Sequence, residues 1–440
     1  MREPWRMTTE TTLPPAIVFR ADTPIGLTII RDLGEHGVTI HAVARSCEGI
    51  GLYSKWTTRG YLRPSDNGST IELLNWIAAE HGAAFLLGIA DSDLLLLRAA
   101  ADAGRLGSLR ALVPEAAQLN MVLDKSLTYA VAREVGVPVP TTWQPREGAM
   151  IRELPEELIF PCVLKWADPR HLGTGLSDLG IPFLKAEYCQ NRSELKQALA
   201  RYERYGRYPL VQEFCPGVGL GHMIFIHRGE ALLRLQHRRI SEWPPEGGVS
   251  TVCESLPLLL NAELFRKSET LLKRIGWQGA AMVEYRLDHR TGRASLMEIN
   301  GRFWGSLPLA YRAGAPFAWY TYAVLGLGMR PDPPRYRPFI RCRYMMPETR
   351  RILAVIQCRG QLKNREFMSV TGEIFAYALQ FFSPRSRYYV LTLRDPVPFL
   401  ADIVFATRRV WRRFIRSRST QSMRNFWANV WGANTTKSGY

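Results

Sequence analysis

The segment VEYRLDHRTGRASLMEINGR, in the second half of the chain, constrains the fold more than any other stretch. It contains two runs of strand-forming residues, and the RTG between them is typical of a hairpin turn with Gly292 in the left-handed conformation. If His289 pairs with Arg293 across this turn, counting outward places Glu284 directly opposite Glu298. The segment therefore predicts an antiparallel hairpin on which two carboxylates face each other.

These opposed carboxylates predict a cation between them. Like charges directly opposite each other destabilise a sheet. Asn300 shares a strand face with Glu298, because side chains two residues apart point to the same side. Two carboxylates and an amide oxygen are hard ligands that Mg²⁺ accepts, with phosphate and water completing its octahedron. The alternative is a solvated polar face on which the two acids avoid each other.

Length and composition indicate a multidomain globular protein. At 440 residues the chain is too long for one typical core, so two or three domains are expected. Its 46% hydrophobic and 22% charged residues are ordinary for a soluble globular protein. The seven cysteines form no C-x-x-C pair, which is typical of reduced intracellular thiols. We also find no secretory signal and no run of roughly 18 apolar residues, so a cytoplasmic protein is expected.

The N-terminal part reads as a strand, a helix and a second strand. IVF is the first strand, PIGLTIIRDLGEHG is a helix that ends at Gly37, and VTIHAV is the second strand. Asp22 and Thr23 are in place to cap this helix, and Pro24 opens it. The pattern predicts a doubly wound α/β domain. The turn lacks G-x-G-x-x-G, so the dinucleotide fingerprint is absent, and a capped helix without any ligand is the alternative.

A second segment carries most of the candidate chemistry. It starts with a helix from Lys125 to Glu134, followed by an apolar strand that ends in Lys165 and by a glycine-bearing loop from Asp168 to Gly180. The strand VQEFCPG, a hairpin with its turn at Arg228-Gly229, and a helix from about Glu263 to Ile275 then lead to the opening hairpin.

The order of these motifs resembles that of the ATP-grasp superfamily. The elements are DK, VLK, the glycine-bearing loop, VQEFCPG, HRRISEWPPEGG, VEY and MEINGRFWGS. They are most similar to the carbamoyl-phosphate-synthetase-like carboxylate ligases, and the N-terminal segment is similar to their pre-ATP-grasp domain. The resemblance covers roughly residues 15 to 325.

The resemblance implies an α/β architecture, with a doubly wound pre-ATP-grasp domain followed by an ATP-grasp fold of two α+β subdomains. The expected organisation is a disordered N-terminus (1–14), the pre-ATP-grasp domain (15–118), the ATP-grasp domain (119–325), a C-terminal extension (326–397) and a basic amphipathic helical tail (398–440).

The implied activity is ATP-dependent joining of a carboxylate to an amine or similar nucleophile through an acyl phosphate, with release of ADP and phosphate. The implied cofactors are ATP and Mg²⁺ or Mn²⁺. The residues that match the family's motifs are Glu284, Glu298 and Asn300 as metal ligands; Lys125, Lys165, Gln212, Glu213, Gly173 and Gly175 as nucleotide contacts; and Lys165, Arg239 and Arg302 as catalytic cations.

Three features leave questions open. The stretch PGVGLGHM after the VQEF strand has no acid where related enzymes often hold the ribose hydroxyls. Strand alternation lets only one of Arg238 and Arg239 face the site. Gly247 to Ser250 would supply backbone donors near the acyl group.

The alternative functions are a membrane-associated nucleotide-binding scaffold with a degenerate core, and a carboxylase or kinase on the same fold.

The tail accounts for part of the formal net charge of +17, which indicates a polyanionic partner. Helical periodicity divides PFLADIVFATRRVWRRFIR into two faces. The apolar face holds Phe399, Leu400, Ile403, Val404, Val410, Trp411, Phe414 and Ile415, and the other holds Arg408, Arg409, Arg412, Arg413 and Arg416. MRNFWANVWG repeats the pattern. This distribution is typical of a helix at a membrane interface, whereas packing of the apolar stripe onto the protein body is the alternative.

The expected partners follow from these features. They are small-molecule carboxylate and amine substrates, an anionic membrane surface that the tail contacts, and a second copy of the chain in a homodimer. Nucleic acid is not expected, because no recognition fold accompanies the charge. The expected location is cytoplasmic, with peripheral membrane association.

Overall fold

The structure is a computed structural model that describes residues 12–148, 154–172, 175–243, 248–357 and 370–417. The strands are β1 (Ala16–Phe19), β2 (Ile40–Ala44), β3 (Arg59–Leu62), β4 (Phe85–Leu87), β5 (Arg110–Ala111), β6 (Thr142–Trp143), β7 (Cys162–Lys165), β8 (Glu187–Cys189), β9 (Leu210–Glu213), β10 (Val218–His227), β11 (Glu230–Trp243), β12 (Val249–Leu256), β13 (Gly279–Leu287), β14 (Ala294–Asn300), β15 (Arg341–Arg343) and β16 (Ser386–Tyr388). The helices are α1 (Pro24–Glu35), α2 (Asn67–His81), α3 (Asp91–Asp102), α4 (Ala116–Leu123), α5 (Lys125–Glu134), α6 (Gly175–Asp178), α7 (Arg192–Ala200), α8 (Ala262–Arg274), α9 (Leu307–Ala313), α10 (Phe317–Tyr320), α11 (Met345–Gln357), α12 (Val370–Leu379) and α13 (Val397–Ser417).

The chain divides into two compact units. The first unit runs to Val113 and also includes Pro316–Asp332 and Tyr388–Arg409. The second holds Pro114–Ala315, Pro333–Arg387 and the residues from Val410 onward. A stretch close to the C-terminus thus shares a unit with the N-terminal sheet. The predicted domain boundaries themselves stay predictions.

The first unit is built on a five-stranded parallel sheet in the order β3-β2-β1-β4-β5. This order reverses direction at β1, which confirms the doubly wound prediction. At the start of α1 the hydroxyl of Thr23 accepts a hydrogen bond from the Gly26 backbone at 3.2 Å. Asp22 does not cap the helix, because its carboxylate accepts from the backbone N–H of Arg45 at 2.8 Å. One hydrophobic core of this unit lies where α2 and α3 pack on the sheet, around Phe19, Leu74 and Leu97 among others.

A buried ion pair ties the C-terminal stretch of this unit to α1. Arg31 Nε lies 2.9 Å from Asp395 Oδ2, and both side chains are about 2% exposed. The same carboxylate accepts from the Ser54 hydroxyl at 2.7 Å and from the Lys55 backbone at 3.0 Å. Both carboxylate oxygens of Asp395 therefore accept from named donors.

We expect Asp395→Ala to lower the free energy of unfolding of this unit by about 3–5 kcal/mol, because it leaves the Arg31 charge buried without its partner. Denaturant unfolding, together with hydrogen exchange of the α1 amides, measures the change. Arg394→Ala is the matched control, since Arg394 is 82% exposed and only 3.8 Å from Glu35. That pair contributes about 1 kcal/mol or less. Equal losses in the two variants would contradict the assignment.

The second unit contains two sheets. One has seven strands in the order β14-β13-β10-β11-β12-β15-β16, and the other has four in the order β6-β9-β7-β8. The helix predicted from Lys125 to Glu134 is observed with those bounds, because Asp124 caps its start and Gly136 follows its end at φ +68°. The hairpin predicted at Arg228-Gly229 is also observed, with both residues at positive φ.

The opening hairpin confirms one part of its prediction and corrects another. Gly292 has φ +71°, as expected, and Glu284 pairs with Glu298. The predicted pairing of His289 with Arg293 is wrong, because Asp288 N–H donates to the Arg293 carbonyl at 2.9 Å and the loop is one residue longer.

A β-bulge in β14 compensates for the longer loop, so that Glu284 still pairs with Glu298. Tyr285 pairs with Leu296 while Glu284 pairs with Glu298, so Met297 is the extra residue. The hydroxyl of Tyr129 donates to the Met297 carbonyl at 2.9 Å and holds the bulge in place.

The six cysteines within the described ranges carry free thiols. No helix in those ranges is long and apolar enough to span a membrane. The predicted tail helix is present as α13, whereas the second amphipathic pattern, MRNFWANVWG, lies outside the described residues, as do residues 1–11.

Candidate functional site

The three predicted metal ligands lie together on one face of the β13-β14 hairpin. Glu284 and Glu298 are cross-strand neighbours, and Asn300 pairs with Met282 on the same two strands. Asn300 Nδ2 is 3.5 Å from Glu298 Oε1. All three side chains are half-buried. The hairpin therefore presents two carboxylates and one amide to the same space.

Four cations surround Glu298. Lys125 Nζ lies 3.6 Å from its Oε2. Burial alone would raise the pKa of Glu298, but Lys125, Lys185, Arg302 and Lys165 together lower it to about 2. One carboxylate thus sits within a surplus of positive charge. Such a field favours a polyanion.

Glu284 is held by a different cation. Arg239 Nη2 lies 2.7 Å from Glu284 Oε2, and Arg239 Nη1 lies 3.1 Å from Glu242 Oε1. Burial raises the pKa of Glu284, while Arg239 opposes the rise and Glu298 adds to it. The pKa values of the two opposed carboxylates are therefore shifted in opposite directions, that of Glu298 downward and that of Glu284 upward. Such a split is expected when two neighbouring acids have different surroundings.

Sequence reasoning missed Glu242, a buried acid that also binds Arg286 Nη2 at 3.1 Å. Residues three apart on a regular strand point to opposite faces, so alternation separates Glu242 from Arg239. Register shifts before and after Ser241 interrupt the alternation, and Glu242 therefore reaches Arg239. The available signal was the charge pattern in RRISEW, where an acid follows the arginines closely.

Two glycines on β10 make room for this network. A Cβ on Gly219 would lie 2.6 Å from Arg239 Cδ, and one on Gly221 would lie 2.6 Å from His237 Nε2. The alternating glycines of PGVGLG thus leave room on one face of β10 for the side chains of Arg239 and His237. Arg238 points to the other face, where its Nη2 lies 2.7 Å from Glu254. Of the two arginines, Arg239 is the one beside Glu284.

Lys165 and Gln212 come from neighbouring strands of the four-stranded sheet. Lys165 Nζ lies 3.4 Å from Gln212 Oε1, and Gln212 Nε2 donates to the Tyr129 hydroxyl at 3.0 Å. Burial lowers the pKa of Lys165, and the charge of Glu298 partly restores it. A cation that has lost much of its water gains strongly from a nearby anion.

Glu213, the next residue on β9, points away from Gln212. Its carboxylate accepts from the Thr141 backbone at 3.0 Å and forms an ion pair with Arg293. The side chain is already engaged by these two donors. Its expected contact with adenine stays a prediction.

The described residues of the glycine-bearing loop form short helical turns. Arg170 folds back onto Asp168, and α6 starts at Gly175. A Cβ on Gly175 would lie 2.7 Å from the Tyr205 ring, so this glycine permits close packing of an aromatic side chain. Gly173 lies outside the described residues, and so does Gly247. Their expected roles, and that of Gly175 toward phosphate, stay predictions.

The remaining predicted cation, Arg302, lies two residues after the last residue of β14. Its Nη1 donates to the Phe303 carbonyl at 3.2 Å, and its charge contributes to the field at Glu298. Within the ranges that the structure describes, no three His, Cys, Asp or Glu side chains are grouped to hold a metal ion. The candidate set consists of two carboxylates and one amide, which are hard oxygen ligands of the kind that Mg²⁺ accepts.

Comparisons with known proteins identify the fold. No family model matches the sequence, and no curated protein matches it. Among solved structures, L-amino acid ligase from Bacillus licheniformis superimposes with a TM-score of 0.54 at 16% identity, over 76% of this chain and 79% of that one. Biotin carboxylase from Campylobacter jejuni, in complex with β,γ-ATP, gives 0.55 at 17% identity, over 70% of each chain.

A third solved structure, N5-carboxyaminoimidazole synthetase from Staphylococcus aureus, gives a TM-score of 0.55 at 10% identity, over 74% of this chain and 80% of that one. At these identities the similarity is one of fold. It agrees with the doubly wound first unit and with the two sheets of the second unit. The chain therefore has an ATP-grasp fold with a pre-ATP-grasp domain.

Proposed function

We propose that the protein is an ATP-dependent ligase that joins a carboxylate to an amine or similar nucleophile through an acyl phosphate. The observation that carries this proposal is the arrangement around Glu298. Two carboxylates and an amide share one face there, and Lys125, Lys165 and Arg302 place positive charge around them. Phosphoryl transfer depends mainly on positioning and charge neutralisation, which this arrangement supports.

The donor set suits a divalent cation. Glu284, Glu298 and Asn300 would hold Mg²⁺ or Mn²⁺ together with phosphate oxygens of ATP. The bound ion would neutralise charge on the β- and γ-phosphates. Oxygen ligands favour these hard ions over zinc or copper, which prefer nitrogen and sulfur.

Side chains of the protein, two lysines among them, would bind the nucleotide. We assign Lys125 and Lys165 to phosphate oxygens, where each acts as a point charge. Gln212 would orient the Lys165 ammonium through the 3.4 Å contact. Glu213 and the backbone beside it would meet the adenine, and Gly173 and Gly175 would border the phosphates.

Arg302 and Arg239 are the proposed catalytic arginines. A guanidinium presents a planar fork that matches a carboxylate or a phosphoryl group. A substrate carboxylate oxygen attacks the γ-phosphorus, and the bond from that phosphorus to the β-bridging oxygen breaks to release ADP. The amine then attacks the carbonyl carbon and loses a proton to solvent, and the phosphate leaves with the carboxylate-derived oxygen. Arg302 would stabilise the charge on the transferred group, while Arg239 holds Glu284 in place.

The similar structures support a reaction of this class without naming the substrates. One is an L-amino acid ligase and another is a biotin carboxylase, so a carboxylase on the same fold is the main competing activity. Small-molecule substrates, a homodimer and a cytoplasmic location belong to this proposal as well.

A screen of acid–amine pairs for ADP release tests the proposal. We expect ADP formation that depends on both an acid and an amine and on Mg²⁺. ADP formation with bicarbonate that no amine increases would favour the carboxylase. Tight nucleotide binding without turnover across the whole screen would favour the nucleotide-binding scaffold.

A further inference from the structure

We propose that the exposed apolar face of α13 is a docking surface for an anionic lipid bilayer, with the helix axis lying in the plane of the membrane. This surface, the α13 stripe, consists of Val397, Leu400, Ile403, Val404 and Trp411, which are 39–64% exposed. Since an α-helix turns about 100° per residue, these positions share roughly one third of its circumference. They lie along one side of the helix, with the exposed Thr407 between Val404 and Trp411.

The opposite face of α13, in its part up to Arg409, packs within the first unit. Phe405 and Ala406 are buried, and the Phe405 ring lies 5.5 Å from that of Tyr53. Arg409 Nη1 donates to Glu48 Oε2 at 2.8 Å. The protein body therefore already occupies the side of α13 that carries Arg409.

Part of the predicted apolar face does not pack onto the protein as the alternative requires, whereas Phe399 and Val410 of that face are half-buried. Phe405 was not part of the predicted apolar face, yet it is the aromatic residue that is buried. Leu400 and Val404 were part of that face, and they are exposed. Contiguous exposed apolar surface with a polar border is typical of an interaction site.

The border of the α13 stripe favours an anionic membrane over a neutral partner. Arg408 and Arg412 are exposed on the turns that flank Trp411. Long arginine side chains can cover apolar surface with their methylene groups while the guanidinium reaches headgroup phosphates. Tryptophan is enriched at the boundary between acyl chains and headgroups.

Charge and apolar burial would act together in such binding. An amphipathic helix with arginines beside an aromatic and aliphatic face binds where anionic lipid supplies attraction and acyl chains supply burial. The net charge of +17 has the sign that this surface requires. Arg409 would contribute little to this contact, because it is bound to Glu48.

Vesicle flotation of the full chain tests the proposal. We expect binding to vesicles of phosphatidylcholine with about one third phosphatidylserine, and at least tenfold weaker binding to phosphatidylcholine alone. Raising the salt concentration should weaken the binding, since the arginine contribution is screened. The triple variant Leu400→Gln, Val404→Gln, Trp411→Gln should bind at least tenfold more weakly.

The matched control replaces two exposed leucines outside α13. Leu259 and Leu260 are 86% and 60% exposed, so Leu259→Gln with Leu260→Gln removes comparable apolar surface. This double variant should bind as the wild type does, and circular dichroism should show the same helix content in all proteins.

Two results would overturn the proposal. One is vesicle binding that is absent or that the triple variant leaves unchanged. The other is self-association of the full chain, measured by light scattering, that the triple variant abolishes while no protein binds vesicles. That second result would assign the α13 stripe to another copy of the chain.

Discussion

Glu298→Gln is expected to reduce ATP turnover by at least about 10³-fold while the fold is retained. The substitution keeps the shape of the side chain and removes one of the two carboxylates proposed to hold the metal ion. It also leaves Lys125, which lies 3.6 Å from Glu298 Oε2, without its charge partner. Loss of one charge from a preorganised electrostatic site has effects of this order.

The Mg²⁺ dependence of turnover distinguishes a metal-binding role of Glu298 from a purely structural role. Glu298→Gln should require more Mg²⁺ for its residual activity, and its thermal unfolding should remain cooperative. Glu269→Gln is the matched control, because Glu269 is a half-buried carboxylate of the same unit that pairs with Arg234. That variant should keep activity and metal dependence near wild type. Full activity of Glu298→Gln with an unchanged Mg²⁺ dependence would contradict the metal assignment.

Lys165→Ala is expected to lower kcat/KM for ATP by about 10²–10³-fold. The Lys165 side chain is half-buried, and burial lowers the pKa of its ammonium. A phosphate oxygen placed beside it would then recover interaction energy that water does not supply. Removing the ammonium leaves that phosphate charge uncompensated in a water-poor site.

Lys196→Ala provides the comparison, since Lys196 is exposed on α7 in the same unit. It should leave both kcat and KM near their wild-type values. Gln212→Leu should have an intermediate effect, because it removes the amide that contacts Lys165 without removing the charge. Equal activity of the Lys165 and Lys196 variants would remove Lys165 from the site.

Local signals predicted much of the scaffold. The bounds of α5 follow from a capping Asp124 before it and from Gly136 after it, and both signals lie within a few residues of the ends they mark. The parallel order of the first sheet follows from the alternation of strands and helices. The pairing of Glu284 with Glu298 was predicted correctly even though the turn was misjudged, because a bulge at Met297 added the missing residue.

The sequence did not predict contacts that depend on irregular strand pairing or that join residues far apart in the chain. The contact of Arg239 with Glu242 requires two register shifts that break strand alternation. The ion pair of Glu213 with Arg293 joins residues 80 positions apart. The side on which α13 packs depends on Tyr53 and Glu48, which are far from it in sequence.

The central claim is that a substrate carboxylate becomes an acyl phosphate, and isotope transfer tests it most directly. An acid labelled with oxygen-18 in its carboxylate is incubated with ATP, Mg²⁺ and the amine that the screen identifies, and the released phosphate is analysed by mass spectrometry. We predict ADP as the nucleotide product and one labelled oxygen in each phosphate released, since the carboxylate oxygen that attacks the γ-phosphorus leaves with it. Phosphate without label, or AMP as the nucleotide product, would contradict the mechanism.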